Sequence, residues 1–394
     1  MTDSPSVLSR RPPPPIPLTV LTGFLGAGKT TLLNNLLRDP ALADTLVLIN
    51  EFGEIGLDHL FVEKVDGDMI VMSSGCLCCS IRGDLVTTLE DVLRRRDNNR
   101  ITPFQRVVIE TTGLADPAPV LHTIMSHPYL MLRFRLEGVV TVVDAVNGDA
   151  TLDAHVEAVK QAAVADRLVL TKTDLVADPE KLAALRSRLA SLNPAARIRD
   201  AAKGEATARK LLDTGLYDPA LKTPDVRKWL NAEAFAQAHD HHGHHGHEHH
   251  HHHDDHGVQN SHDVNRHDSR IRAFCLRSDA RPSPQTFDMF LTMLRETNGP
   301  SLLRVKGIVG LSDDPDRPVV IHGVQHVFHP PVRLDRWPDD DHSTRIVFIL
   351  RDLDQAFVEK FWGLFAGGPA IDQPDAAAMA ENPLSPRATR GLLG

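Results

Sequence analysis

The chain has 394 residues, 42% of them hydrophobic and 24% charged, which suffices for two or three folded units at about 150 residues per domain. Its 43 Lys and Arg residues face 52 Asp and Glu residues, so the formal charge is -9 and we expect no nucleic-acid partner. No apolar run approaches the roughly 20 residues of a membrane span, and the polar, proline-rich start lacks a signal-peptide core. We therefore expect a cytoplasmic protein that does not bind membranes.

Cysteine and histidine are unevenly distributed. Three of the 4 cysteines lie in residues 76–79, too close together to cross-link a chain of this length by disulfides. The fourth, Cys275, stands alone in a predicted strand, where an inert core position is expected. Of the 22 histidines, 12 lie between His239 and His256, a density that no packed core accommodates. The sequence thus indicates a thiolate site and a separate His-rich tract.

Composition divides the chain into five segments. Strand-length apolar runs alternate with segments of helical period after the N-terminal prolines, which is the pattern of a parallel sheet with crossover helices. The predicted segments are a disordered lead (1–16), an α/β domain with a mainly parallel sheet (17–216), a flexible His-rich linker (217–269), a smaller C-terminal α+β domain (270–366) and a frayed tail (367–394).

Periodicity and turn residues place the elements of both domains. In the α/β domain the predicted strands are 18–22, 45–50, 106–110, 139–143 and 168–171, and the predicted helices are 29–37, 84–95, 118–125, 152–165 and 179–192. In the C-terminal domain the predicted strands are 271–277, 302–309, 319–327 and 345–350, and the predicted helices are 286–296 and 355–365.

Residues 23–30, GFLGAGKT, match the pattern G-x-x-x-x-G-K-[ST] directly after a predicted strand and at the start of a predicted helix. Glycines let backbone N–H groups approach phosphates, and the helix N-terminus adds positive potential. We expect Lys29 to reach the β- and γ-phosphates and Thr30 to bind Mg²⁺. The alternative is a glycine-rich turn with a solvated lysine. The remaining candidate nucleotide contacts in this loop are Gly23, Gly26, Ala27, Gly28 and Thr31.

Two later strand ends add candidate residues. Glu110 ends a predicted strand, where a carboxylate orients Mg²⁺ or its water, and Gly113 follows as a candidate neighbour of the γ-phosphate. Residues 171–174, TKTD, resemble the [NT]-K-x-D guanine motif, in which Asp174 accepts from guanine N1–H and the exocyclic amine while Lys172 packs on the ring. GTP is the expected nucleotide. The alternatives are a surface glutamate and a helix-capping aspartate beside a solvated lysine.

The thiolate cluster lies between the phosphate loop and Glu110, in the region of a GTPase that responds to the γ-phosphate. In a reducing compartment such thiolates bind Zn²⁺, Co²⁺ or Cu⁺, so we expect Cys76, Cys78 and Cys79 to bind a transition metal, with inert buried cysteines as the alternative. The fourth ligand stays open between a carboxylate, with Glu51 as the candidate, a histidine, and a second chain in a homodimer.

Taken together, these residues resemble the CobW-type metallochaperone GTPases. The shared segments are 23–34 (GFLGAGKTTLLN), 50–58 (NEFGEIGLD), 75–85 (GCLCCSIRGDL), 107–117 (VVIETTGLADP), 171–174, the His-rich linker and the domain at 271–362. The resemblance implies a P-loop GTPase that binds a transition metal at the C-x-C-C site in its GTP-bound form and hands it to a client protein. It also implies guanine contacts from Thr171, Lys172 and Asp174, although many GTPases have Asn in place of Thr171.

We expect GTP and Mg²⁺ to order residues 50–85 so that metal affinity depends on the nucleotide. No arginine finger or water-positioning residue is identifiable, which predicts slow hydrolysis by the candidate catalytic residues Lys29, Thr30 and Glu110. The His-rich tract would add weak metal capture or serve as a spacer. Zinc is the leading cargo. Cobalt delivery for cobalamin synthesis or to a nitrile hydratase-like client, a passive His-rich metal buffer and a signalling GTPase are the alternatives.

Overall fold

The structure, a computed structural model, describes residues 14–51, 69–73, 80–212 and 270–366. They form an α/β domain with a parallel sheet and a smaller C-terminal α+β domain with an antiparallel sheet, as the sequence predicts. The predicted linker and tail, most of the predicted lead, the cysteine cluster and the His-rich tract lie outside the described residues.

The N-terminal sheet has seven strands in the order β3-β2-β4-β1-β5-β6-β7. They are β1 (Ile16–Gly23), β2 (Thr45–Glu51), β3 (Met69–Ser73), β4 (Arg106–Glu110), β5 (Phe134–Asp144), β6 (Arg167–Thr171) and β7 (Arg197–Asp200). All neighbouring pairs run parallel, so their carboxyl ends meet at one edge of the sheet. The sequence predictions omit β3 and β7, which are short strands at the two sides of the sheet.

Helices cover both faces of this sheet, as parallel strands require. They are α1 (Lys29–Leu37), α2 (Ser80–Asp97), α3 (Ala118–Ser126), α4 (Pro128–Arg133), α5 (Gly148–Ala154), α6 (Val156–Val164), α7 (Pro179–Leu192) and α8 (Ala208–Leu211). The prediction of one helix over 152–165 is wrong. His155 has an extended backbone, with φ of -132°, and separates α5 from α6. Its ring stacks on Phe24 with a centroid distance of 4.4 Å, a tertiary contact that local periodicity does not encode.

The C-terminal sheet is antiparallel in the order β11-β10-β9-β13-β8, with β12 paired to β10. Its elements are β8 (Ile271–Ser278), α9 (Pro284–Asn298), β9 (Leu302–Val309), β10 (Val319–Val324), β11 (Val327–Phe328), β12 (Val332–Arg333), β13 (Thr344–Arg351) and α10 (Gln355–Ala366). The prediction of one strand over 319–327 is wrong, because Gln325 has a φ of 52° and reverses the chain between β10 and β11.

Apolar side chains fill both domains and continue across their boundary. The core beneath α2 and α3 includes Leu89, Leu121 and, from the C-terminal domain, Val324, all fully buried. A second core joins Phe290 of α9 and Trp362 of α10 to the antiparallel sheet. No helix in the described part of the chain is long and apolar enough to cross a membrane.

Buried charges also join the two domains. Asp166, before β6, is 1% exposed and accepts from Arg304 Nη2 at 2.5 Å and from Lys306 Nζ, both on β9. Its second oxygen accepts from the Val139 amide at 2.8 Å. Burial alone would raise the pKa of Asp166, but Arg304 and Lys306 outweigh that effect and hold the pKa well below its ordinary value. The ion pairs thus hold β9 against the junction between α6 and β6 of the first domain.

Candidate functional site

Residues 23–30 form a loop between β1 and α1. Gly23, Gly26 and Gly28 have φ values of 144°, 71° and 91°, which L side chains rarely adopt. A Cβ at Gly23 would also collide with the carbonyl oxygen of Val142 on β5. Glycine at these positions therefore reflects backbone geometry, and the loop has the strand-turn-helix setting that a phosphate loop requires.

Three side chains that can bind phosphate or a metal ion lie around this loop. Lys29, the first residue of α1, donates from Nζ to the carbonyl oxygen of Phe24 at 3.3 Å. Thr30 Oγ1 donates to Glu110 Oε1 at 3.4 Å, and Glu110 is 6% exposed at the end of β4. A hydroxyl and a carboxylate facing each other are oxygen ligands of the kind that Mg²⁺ prefers, so this pair fits the ion. Thr31 is exposed in the first turn of α1.

Gly113 brings the chain after β4 against the phosphate loop. A Cβ at Gly113 would lie 2.6 Å from the Leu25 amide nitrogen, so only glycine permits this approach. Thr111 anchors the start of the segment, because its amide donates to Leu21 O at 2.9 Å and its hydroxyl to Thr22 Oγ1 at 2.8 Å. The structure thus places Gly113 beside the loop, as its candidate role requires.

The TKTD segment is bonded to the same loop. Thr171 Oγ1 donates to Ala27 O at 2.6 Å, and Lys172 Nζ donates to Gly26 O at 2.8 Å and to Asp144 Oδ2 at 2.7 Å. Asp174 is exposed. Partial burial would raise the pKa of Asp144, but hydrogen bonds, chiefly from Lys172, hold it below its ordinary value.

The sequence profile of the CobW/HypB/UreG nucleotide-binding domain matches residues 17–200, and the profile of the C-terminal domain of the cobalamin synthesis protein cobW matches residues 271–363. Two profiles of one family thus cover both folded domains in order. The chain belongs to the CobW-type family of P-loop GTPases.

Zinc chaperones are among the named relatives of this CobW-type chain. The chain is 40% identical over 200 residues to the zinc chaperone YjiA of Escherichia coli, which covers 51% of this chain and 62% of YjiA, less than two thirds of that relative. It is 29% identical over 380 residues to the zinc chaperone CobW of Sinorhizobium sp, covering 87% of this chain and 95% of that one. A crystal structure of a Zn(II)-bound triple mutant of the YjiA GTPase is similar with a TM-score of 0.63, at 25% identity over 89% of this chain and 99% of that one.

Sequence reasoning missed Asp144 and Asn147 in this CobW-type site. Asn147 Nδ2 donates to Asp144 Oδ2 at 2.9 Å, and Asp144 in turn accepts from Lys172. An aspartate at the carboxyl end of β5, on the same sheet edge as the phosphate loop, was the available signal. Together these residues border a cavity of about 300 Å³ beside the loop. A larger cavity of about 1030 Å³ near Pro17 and Arg106 lies at the opposite edge of the sheet, away from these groups.

The described residues include neither Cys76, Cys78 and Cys79 nor the His-rich tract, so most of the predicted transition-metal site lies outside them. Glu51 ends β2, where its backbone pairs in register with Ser73 at the end of β3. Among the described residues, no group of three His, Cys, Asp or Glu side chains is arranged to hold a metal. Cys275 is partly buried on β8, at the margin of the C-terminal core, and burial raises the pKa of its thiol to about 11.

Proposed function

We propose that this CobW-type protein is a GTP-dependent metallochaperone that hydrolyses GTP and delivers a transition metal, zinc, to a client protein. The observation that carries the proposal is the convergence of the phosphate loop, Glu110, Gly113 and the TKTD segment on one edge of the sheet. Similarity to relatives named zinc chaperones supports the cargo.

The nucleotide chemistry follows from the residues around the loop. In the proposal, backbone amides of the loop and Lys29 bind the β- and γ-phosphates, which removes much of their mutual repulsion. Thr30 and Glu110 would hold Mg²⁺, which when bound supplies charge neutralisation at the phosphoryl group. Gly113, in contact with the loop, lies next to the γ-phosphate. Because catalysis of this kind depends on positioning and electrostatics, no covalent intermediate on the protein is needed.

Base selection is assigned to the TKTD segment. Asp174 accepts from the N1–H and the exocyclic amine of guanine, and adenine would leave that carboxylate without donors. Thr171 and Lys172 connect base recognition to the phosphate loop through their bonds to Ala27 and Gly26. A shift of either segment would therefore disturb the other.

We assign the proposed cargo site to the same edge of the sheet, because its cysteines follow β3 in sequence. Residues 74–79, with Cys76, Cys78 and Cys79, join the carboxyl end of β3 to the start of α2 at Ser80. Glu51 ends the neighbouring strand in register with the end of β3, which supports its candidacy as a fourth ligand. Zinc favours a tetrahedral, thiolate-rich site of this composition. Free thiols at this density require a reducing compartment, so the proposal includes a cytoplasmic location.

A chelator competition titration with Zn²⁺ and Co²⁺ tests the cargo site. The titration is run with Mg²⁺-GTP and then Mg²⁺-GDP on wild type, on Cys78→Ser, and on Cys275→Ser as the matched control. We expect Cys78→Ser to abolish a nucleotide-dependent site. Cys275→Ser should bind like wild type, because its thiol stays protonated at neutral pH. Metal binding that is unchanged by Cys78→Ser and by the nucleotide would contradict the proposal and favour a passive buffer.

The His-rich tract is assigned weak, additional metal capture. Deleting residues 239–256 should lower the number of metal ions bound per chain while GTP turnover stays within about twofold of wild type, since the tract is separate from the P-loop domain in sequence. An unchanged metal stoichiometry would identify the tract as a spacer. Tighter binding of Co²⁺ than Zn²⁺ in the GTP state would replace zinc by cobalt as the cargo.

A further inference from the structure

The segment after β4 is held to α6 by one buried side chain. Gln161 is 0% exposed, and its Nε2 donates to the carbonyl oxygens of Gly113 at 3.2 Å and Ala115 at 3.0 Å. The main-chain carbonyl oxygen of Gln161 accepts from the Thr141 hydroxyl on β5 at 2.7 Å. Bonds to a buried amide fix the two carbonyls, and thereby the segment that brings Gly113 against the phosphate loop.

Three elements converge on Asp116 in the same segment. Its Oδ1 accepts from the Ala118 amide at 3.0 Å, at the start of α3. Its Oδ2 accepts from Lys160 Nζ of α6 at 3.0 Å and from Gln325 Nε2 of the C-terminal domain at 3.4 Å. The carboxylate therefore connects the segment to α6 and to the second domain.

The turn between β10 and β11 is docked on the first domain. Val324 is fully buried within the core of that domain, and its carbonyl oxygen lies 3.0 Å from His122 Nε2 of α3. The His326 ring contacts the His122 ring edge-on at a centroid distance of 4.2 Å. Gln325 keeps its left-handed backbone through a bond from its amide to Leu302 O at 2.7 Å. This anchoring presents the Gln325 side chain to Asp116.

We propose that Gln161 and Asp116 are positioning residues for GTP hydrolysis, and that Gln325 makes turnover sensitive to the docked C-terminal domain. The inference rests on the proposed GTP hydrolysis and assigns a role to the second domain in it. The segment from Gly113 to Asp116 lies between the γ-phosphate position and the β10–β11 turn. Its placement matters because a misplacement of about 1 Å in an active site can cost about 100-fold in rate.

Comparing GDP affinity with GTP turnover distinguishes a positioning role from a purely structural role. GDP lacks the phosphate that the Gly113 segment would meet, so a displaced segment leaves GDP affinity unchanged and lowers the turnover of GTP. A purely structural role would lower the melting temperature and the affinities for both nucleotides together. The kcat, the KM for GTP, the Kd for GDP and the melting temperature are therefore measured for every variant of the full chain.

Gln161→Met is the first variant, since methionine fills a similar volume without the amide. We expect its kcat to fall about tenfold while the KM for GTP and the Kd for GDP stay within about twofold. Gln285→Met, an exposed position on α9, is the matched control and should equal wild type. A kcat for Gln161→Met equal to that of wild type, or a fall explained by loss of both nucleotides, would overturn the positioning role.

Gln325→Asn tests the contribution of the second domain, because asparagine tolerates the left-handed backbone while its shorter side chain no longer reaches Asp116. We expect a fall in kcat of about threefold, and no further fall when Gln325→Asn is added to Asp116→Ala, since Asp116→Ala already removes the acceptor of the Gln325 side chain. Additive losses would overturn the connection through Asp116. If wild type itself hydrolysed no GTP, the proposed function would fail. An active wild type with unaffected variants would contradict this inference alone.

Discussion

Two charged clusters in this molecule differ in their access to solvent. Beside the phosphate loop, the Lys172 and Asp144 side chains are 35% and 11% exposed and border an open cavity. Between the domains, Asp166, Arg304 and Lys306 are at most 3% exposed. The partly exposed charges beside the loop can exchange their protein partners for a ligand at a small cost in free energy. The buried charges between the domains depend on each other, because each would be unpaired in a low-dielectric interior if its partner were removed.

The difference assigns separate tasks to the two clusters. The site is built from glycines and a partly exposed ion pair, which keep backbone amides and side chains available to phosphates. The interface fixes where β9 lies relative to the junction before β6, and hence where the β10–β11 turn reaches the Gly113 segment. Substitutions should accordingly change activity at the first cluster and stability at the second.

Asp166→Asn should have the largest effect. Removing the carboxylate charge leaves Arg304 and Lys306 buried without their counter-ion, so we expect the free energy of unfolding to fall by about 3 to 5 kcal/mol. Urea unfolding followed by tryptophan fluorescence, to which the buried Trp337 and Trp362 contribute, measures the change. The control is Asp149→Asn, whose side chain is 66% exposed in its pair with Arg188. This control should lower the free energy of unfolding by less than about 1 kcal/mol. Equal losses in the two variants would show that the buried cluster is no more important for stability than an exposed ion pair.

Lys29→Ala should reduce GTP turnover by about 100- to 1000-fold, the range found when a donor to developing charge is removed. Phosphate release under saturating Mg²⁺-GTP measures the loss, and the urea midpoint should match that of wild type. Lys203→Ala, at a side chain that is 68% exposed, controls for loss of a surface charge. Turnover within tenfold of wild type would show that Lys29 does not act on the phosphates.

Acidification should destabilise the interface region. Burial, with a smaller effect of Arg304, lowers the pKa of His329 to about 4, and burial also lowers the pKa of His322 well below 6.5. Between pH 4 and 6.5 the unfolded chain then binds protons that the folded chain does not, so the free energy of unfolding falls as the pH falls. His329 accounts for at most about 3 kcal/mol. Urea unfolding at several pH values should show this slope, and His329→Gln should flatten it. An unchanged slope in that variant would contradict the assignment.

Substitutions at Thr171 should have the smallest effect. Thr171→Asn introduces the residue found in many GTPases, and its amide can still donate to Ala27 O, so GTP affinity should change less than about threefold. Thr171→Val removes the hydroxyl and its bond of 2.6 Å, which corresponds to about 1 kcal/mol, or about fivefold in affinity. Fluorescent-nucleotide titration distinguishes the two variants. The reverse order would mean that this hydroxyl does not position the loop.

Sequence reasoning succeeded where local rules decide the structure. The helices Lys29–Leu37 and Pro179–Leu192 have the predicted bounds, the second because Asp178 caps its first turn and Pro179 fits there. Gly28 and the strand before it located the phosphate loop. These signals lie within a few residues of the feature that they predict.

Sequence reasoning failed where distant residues decide the structure. The sequence predicts the strand at 302–309 but not its complete burial. Arg304 and Lys306 can be buried on β9 because their counter-ion is Asp166, 138 and 140 residues away in the chain. The contact between Asp116 and Gln325 joins residues 209 positions apart, so a local sequence pattern does not predict it either. The thiolate motif was found by spacing alone, and its ligand geometry stays a prediction.

The zinc affinity of the wild-type chain with Mg²⁺-GTP, compared with Mg²⁺-GDP by chelator competition, decides whether the nucleotide controls metal binding. We expect at least about tenfold tighter zinc binding in the GTP state, which is about 1.4 kcal/mol of coupling, and therefore a gain in the preference for GTP over GDP of the same factor when zinc is bound. Equal zinc affinities in the two nucleotide states would contradict this coupling.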